Sequence, residues 1–101
     1  MAVVSSEVVG THASLIPDNL EAVFIVSKKG AEVIDAVVTK PTPPFSMGKV
    51  AKYVTVLASV AEGVVGEVGG KCFEELRIES SDKVVIVIND GDYVRVGVAS
   101  K

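Results

Sequence analysis

The chain contains no tryptophan and no glutamine, a single cysteine and a single histidine, and aromatic residues make up only 5% of it. One cysteine cannot form an intrachain disulfide, and such sparing use fits a reducing, cytoplasmic setting. So few rings leave little material for stacking nucleobases or lining an aromatic ligand pocket. No uncharged apolar run reaches the roughly 18 residues that a membrane-spanning helix needs. No membrane insertion is expected, and the opening MAVVSSEVVG has no basic flank of the kind a signal peptide carries. Basic residues are also short: ten Lys and Arg stand against thirteen Asp and Glu, for a net charge of -3. They are scattered, with Lys28-Lys29 the only adjacent pair, and a nucleic-acid footprint needs a basic patch or stripe. Nucleic acid is therefore not expected as a partner.

What is abundant is aliphatic. Hydrophobic residues make up 49% of 101 positions, enough for one core in one domain spanning residues 1–101. Val4, Val8, Val9, His12, Leu15 and Ile16 share one helical face and predict a short first helix over 3–16, ended by Pro17. LEAVFIVS, residues 20–27, is apolar on both faces, as an inner strand would be. Lys28-Lys29-Gly30 then turns the chain into a return strand over 31–39. There Val33, Asp35 and Val37 are expected on one face and Glu32, Ile34, Ala36 and Val38 on the other. Lys40-Pro41-Thr42-Pro43-Pro44 reads as a stiff loop. Ser46 is a fitting helix N-cap with Phe45 before it as a staple onto Val50, and Gly69-Gly70 supplies the helix end. Three strand-like runs follow, over 72–79, 83–88 and 92–99, joined by short loops that favour antiparallel neighbours. The order predicts an α+β fold with a five-stranded antiparallel sheet.

The long helix poses the main question. At 100° per residue, Val50, Tyr53, Val54, Leu57, Ala61, Val64, Val65 and Val68 form a core stripe. Val56 and Val60 widen it on one flank, Ala51 and Ala58 on the other, to an apolar arc of roughly 220°. The remaining strip holds Lys52, Thr55, Ser59, Glu62, Gly63 and Gly66, and Thr55, Ser59 and Gly63 make a ridge of small residues. The excess apolar surface calls for a cover: the first helix, a loop, or a second copy of the same helix, the last being the expectation. The run over 72–79 has Leu76 and Ile78 on one face and Phe73, Glu75, Arg77 and Glu79 on the other, as an edge strand would. Helix and edge strand together predict an isologous dimer face formed by Tyr53, Val56, Ser59, Val60, Gly63, Phe73, Glu75 and Arg77.

Residues for chemistry are few. His12 and Cys72 are each better read as structural residues than as a dyad. Gly66-Glu67-Val68-Gly69-Gly70-Lys71-Cys72 departs from the phosphate-loop pattern at its first and last positions, and its glycines end a helix instead of opening one. Asn89-Asp90-Gly91-Asp92 reads as a hairpin turn before a cation site, and Glu74 and Glu75 fall on opposite faces of a strand. No catalytic residues, metal or cofactor are expected, so the chain is read as a non-enzyme.

The run IPDNLEAVFIVSKKGAEVIDA, with its proline turn, apolar strand, charged turn with Gly and return strand, resembles the opening hairpin of the Roadblock (dynein light-chain type) family. The element order over residues 15–99 is similar too, and the likeness implies the strand order 2-1-5-4-3, with a short N-terminal helix on one face of the sheet and the long helix on the other; profilin-like and longin-like folds share parts of it. The resemblance implies a non-catalytic dimeric module whose third strands and long helices pair across a two-fold axis. It also implies a partner, a small Ras-like GTPase that the module would regulate or scaffold. On that likeness the dimer helix corresponds to residues 53–68 and the pairing strand to residues 72–79, and no arginine is assigned as a catalytic finger. A small-ligand sensor of profilin-like or longin-like architecture is the alternative, and would need a pocket between helix and sheet.

Overall fold

The computed structural model of the chain describes residues 19–39 and 45–101. The short helix expected over 3–16, His12 and the loop over 40–44 lie outside the described residues. The elements are β1 (Leu20–Ser27), β2 (Glu32–Val38), α1 (Met47–Glu67), β3 (Glu75–Glu79), β4 (Lys83–Asp90) and β5 (Tyr93–Ser100). All neighbouring strands are antiparallel, and the sheet order is β2-β1-β5-β4-β3, the order expected. One helix is present among the described residues, and it packs on one face of the sheet.

Period-two alternation places Ala22, Phe24 and Val26 of β1, Val87 of β4 and Val94, Val96 and Val98 of β5 on the helix side, all buried. Burying a side chain of this size contributes about 1.5–3 kcal/mol against leaving it in water. The opposite face holds a smaller cluster of Val84, Ile86 and Ala99. Beside it Glu21 is buried, and both its carboxylate oxygens accept from Lys83 Nζ, at 2.6 and 2.7 Å. That pairing offsets the desolvation that a lone buried carboxylate would suffer.

β2 corrects the expected alternation. Val33 pairs with Val26 but Asp35 with Ile25, so Ile34 is an extra, bulged residue and is exposed. The bulge puts Val33 on the same side as Ala36 and Val38, where all three pack on the helix-side core. Plain alternation would have split Val33 from them and buried less.

α1 starts where expected. The Ser46 hydroxyl accepts from Lys49 N–H, and Phe45 and Val50 both pack on the core. At its end Gly69 N–H donates to the Gly66 carbonyl and Gly70 N–H to that of Val65, the paired bonds of a Schellman motif. Gly69 has φ 82, where a side chain is strained, and a Cβ on Gly70 would meet Val65 Cγ1 at 2.5 Å.

The helix is rotated from the orientation its hydrophobic pattern suggests. Ala51, Val54 and Ala58 are fully buried, flanked by Met47, Val50, Ala61 and Val65. The centre of the inward face thus lies about 60° round from the expected stripe, at 100° per residue. Val64 and Val68 of that stripe are exposed, as is Tyr53, which the stripe shares with the expected contact face. Alanines let the helix backbone come close to Phe24 and the valines of the sheet, where Tyr53 would hold it away.

Candidate self-association surface

The outer side of α1 carries the feature that asks for a function. Tyr53 is 74% exposed, Val56 62%, Val60 56% and Val64 59%, and the four recur at helical spacing down one side. Isolated surface hydrophobics are ordinary, whereas a contiguous apolar strip on a chain this small marks a contact surface. Ser59 and Gly63, expected in the same contact, are exposed on the flank next to this strip. Among the described residues, a Cβ on Gly63 would meet nothing within 4 Å.

The rotation of the helix moves part of the predicted small-residue ridge out of play. Thr55 is half-buried, and its hydroxyl donates to the Ala51 carbonyl at 3.0 Å. Glu62 turns towards the sheet. Its Oε2 accepts from Phe73 N–H at 3.1 Å and from Asn89 Nδ2 at 3.3 Å, and the same Asn89 amide donates to the Phe73 carbonyl at 2.8 Å. Lys28 Nζ donates to Asn89 Oδ1. This polar junction ties the helix, the approach to β3, the end of β4 and the β1–β2 turn together. Sequence reasoning passed over it, because its members are far apart in the chain and unremarkable singly.

Phe73 is the clearest correction to the predicted contact residues. It is buried in the core of its own protomer, at 5% exposure, and offers no side chain to a partner. The reason is that β3 begins only at Glu75, so residues 72–74 do not follow strand alternation. The signal was present: one large apolar residue in an otherwise charged set of Phe73, Glu75, Arg77 and Glu79 is out of place on a solvent face.

Glu75 and Arg77 do lie on β3, the last strand of the sheet, on the face away from the helix. Arg77 Nε donates to Glu79 Oε2 at 3.0 Å, and Lys101 Nζ meets Glu79 Oε1 at 2.9 Å. The hydrogen bond from Lys101, with that from Arg77, holds the Glu79 carboxyl below its ordinary range. The predicted contact residues thus fall into an apolar helix set and a charged strand set, on opposite sides of the sheet.

Other chemistry finds little support. Among the described residues no three His, Cys, Asp or Glu side chains group as metal ligands, and no helix is long and apolar enough to cross a membrane. Cys72 is exposed, not a core residue as its small apolar character suggested. Gly91, with φ 65, turns β4 into β5 with Asp90 paired to Tyr93, so the Asn89–Asp92 stretch is a hairpin. Between α1 and the sheet, the space that a ligand sensor would use is filled by Ala51, Val54, Ala58 and Phe24.

Neither family models nor curated protein sequences give a match to this chain. Solved structures do. Myxococcus xanthus MglB superposes with a TM-score of 0.72 at 17% identity, over 82% of this chain and 66% of that one. An MglB described in a tetrameric arrangement gives 0.74 at 17% identity, over 95% and 70%. A Roadblock/LC7 domain from Streptomyces avermitilis gives 0.55 at 14% identity, over 90% and 73%. The chain therefore spans about two thirds of the length of the MglB structures, and its fold is that of the Roadblock domains.

Proposed function

We propose that this chain is a non-catalytic Roadblock-type module that pairs with a second copy of itself and, as a dimer, binds and regulates or scaffolds a small Ras-like GTPase. The observation that carries the dimer is the strip of Tyr53, Val56, Val60 and Val64 on the outer side of α1. A second α1 packed on it would bury side chains that the protomer leaves in water, each contributing up to about 1.5–3 kcal/mol. The likeness to Roadblock domains would pair the same partner through β3, which among the described residues is the last strand of the sheet. The tetrameric arrangement of one MglB is in keeping with a fold that assembles from copies of itself.

The GTPase half of the reading rests on the Roadblock fold and on what that family implies, a warrant of analogy. On this reading the module acts by holding and orienting its partner. Light scattering after gel filtration at low micromolar concentration tests the first half, with twice the mass of one chain expected. Capture of purified Ras-like GTPases, loaded in turn with GDP and a GTP analogue, tests the second. A dimer that retains no GTPase in either state would refute the GTPase reading and leave the dimer standing.

A further inference from the structure

The tip of the β4–β5 hairpin takes no part in the proposed contact, yet its Asp90-Gly91 is the only place in the chain where glycine follows an aspartate or asparagine. That pair has a chemistry of its own. The backbone nitrogen of the second residue attacks the side-chain carboxyl carbon of the first, and a glycine there puts no Cβ in the way. A C–N bond forms, the carboxyl group loses one oxygen as water, and a five-membered succinimide results. Water then adds to one of the ring's two carbonyls and breaks that carbonyl's bond to nitrogen. One product is aspartate again. The other is isoaspartate, whose main chain runs through the side-chain carbons and is one carbon longer. Nothing is oxidised or reduced, and the water lost in the first step is returned in the second.

Asp90 is the last residue of β4 and pairs with Tyr93, which leaves Gly91 and Asp92 as a two-residue tip. Of these two only Gly91 has a positive φ, at 65, the mark of a type II′ turn. Asp90 and Gly91 are both exposed, and a hairpin tip opens at low cost. Ring closure needs the Gly91 nitrogen against the Asp90 carboxyl carbon, so the peptide has to turn out of the extended strand that pairs Asp90 with Tyr93. The side chain is restrained as well. Arg95 Nε donates to Asp90 Oδ2 at 2.9 Å and draws the carboxylate back along the ladder, where Arg95 stands opposite Ile88.

Asp35 provides the contrast. Its Oδ1 accepts from Ala36 N–H at 2.9 Å, so the carboxylate already lies beside the nitrogen that would attack. That nitrogen, however, belongs to a residue with a Cβ, in the middle of β2 and paired along β1. Closeness is met at Asp35 and access at Asp90. Access decides, because the tip opens alone whereas Asp35 is freed only by parting two strands.

We propose that Asp90-Gly91 is a site of spontaneous isoaspartate formation, restrained in the folded chain by the pairing with Tyr93 and by Arg95. The added main-chain carbon falls next to Asn89, whose amide donates to the Phe73 carbonyl and to Glu62. It falls close to Asp92 too, whose carbonyl accepts from Lys28 N–H at 3.0 Å. A two-residue tip does not close over a longer chain with the strand register unchanged. Isoaspartate at 90 therefore slackens the junction that ties the helix to the sheet.

The test holds the full chain at neutral pH and physiological temperature for weeks, native and in urea. Isoaspartate is then counted, after proteolysis, as methyl groups that an isoaspartyl methyltransferase transfers from S-adenosylmethionine, and is placed by fragmenting the peptides. The unfolded chain is expected to form it first at 90, and the native chain at the same position more slowly, ahead of 35. Asp90→Glu, which would have to close a six-membered ring, should abolish the signal there in both. Arg95→Ala should raise the native rate by up to about fivefold, the range open to a half-exposed ion pair, and leave the rate in urea unchanged. Arg95→Lys keeps a cation near Asp90 and should stay closer to the parent. A native chain that forms none at 90 while the unfolded chain does overturns the site, as does earlier formation at 35 or at another aspartate. A native rate equal to that in urea overturns restraint by the fold. A native rate unmoved by Arg95→Ala, or raised equally by alanine and lysine, overturns the restraint by the ion pair.

Discussion

The side of α1 that meets the sheet is built around Ala51, Val54 and Ala58, whereas the side that faces away carries the larger Tyr53, Val56, Val60 and Val64. Both sides are apolar, so hydrophobicity alone does not decide which one the protomer buries. Size does. The inner face of the sheet is already filled by Phe24 and a layer of valines, and only small residues let a helix settle onto it at close-packed density. The larger side chains are left outside, where a second layer of protein has to meet them if they are to be covered. Two hydrophobic surfaces on one helix thus have different roles: one closes the protomer and the other is available to a neighbour.

The sharpest way to break this comparison is one substitution on each side in turn. Val60→Glu puts a carboxylate in the centre of the outer strip. Its burial against a second copy should raise the dissociation constant of the dimer by about a hundredfold or more, measured by sedimentation across a concentration series. Unfolding of the dilute protomer by urea should move by less than about 0.5 kcal/mol. A comparable loss in the dilute protomer would mean that the strip belongs to the protomer core after all. On the other side, Ala58→Leu adds atoms where none fit. It should cost about 1–3 kcal/mol of protomer stability in the same urea titration, through displaced neighbours and not through any lost contact.

How much of this the sequence disclosed depends on the range of the interaction concerned. The hairpins, the Ser46 cap and the Gly69-Gly70 stop were legible, because each is written in a few adjacent residues or in a short loop, whereas the pairing of β1 with β5 was expected only from the resemblance to Roadblock domains. The apolar excess of α1 was legible as a quantity, but its orientation was not. A wheel weights Tyr53 and Val64 as heavily as Ala51 and Ala58, and takes no account of the room that the sheet leaves. The bulge at Ile34 and the inward turn of Phe73 escaped for a related reason: one irregular residue shifts the phase of everything after it. Of the predicted contact residues, Tyr53, Val56, Ser59, Val60 and Gly63 are at the surface, Glu75 and Arg77 are on the edge strand, and Phe73 is not available. The junction of Glu62, Asn89 and Lys28 was invisible, since no local pattern links positions so far apart.

That junction marks the seam between the two sides of the helix, and removing it should sharpen the difference. Glu62→Ala leaves Phe73 N–H without its acceptor in a part-buried site, a loss of about 1–3 kcal/mol by urea unfolding. Glu62→Gln keeps an oxygen in place and should recover much of it. Recovery by glutamine would identify the hydrogen bond as the stabilising element. Equal losses in the two variants would identify the charge facing Asn89 and its neighbour Lys28.

The smallest effect separates the protomer from the dimer most cleanly. Gly63 sits in the helix interior, and among the described residues nothing lies near the place a Cβ would occupy, so within one chain Gly63→Ala should stabilise by up to about 1 kcal/mol through helix propensity. A glycine kept at that cost asks for a reason outside the protomer, and close approach of a second α1 along the Ser59 and Gly63 flank would be one. Under that reading the same methyl group raises the urea midpoint of the dilute protomer and weakens the dimer. The two measurements would then move in opposite directions for a single substitution. If both rise together, the second helix stays clear of Gly63, and the contact is confined to the valine strip.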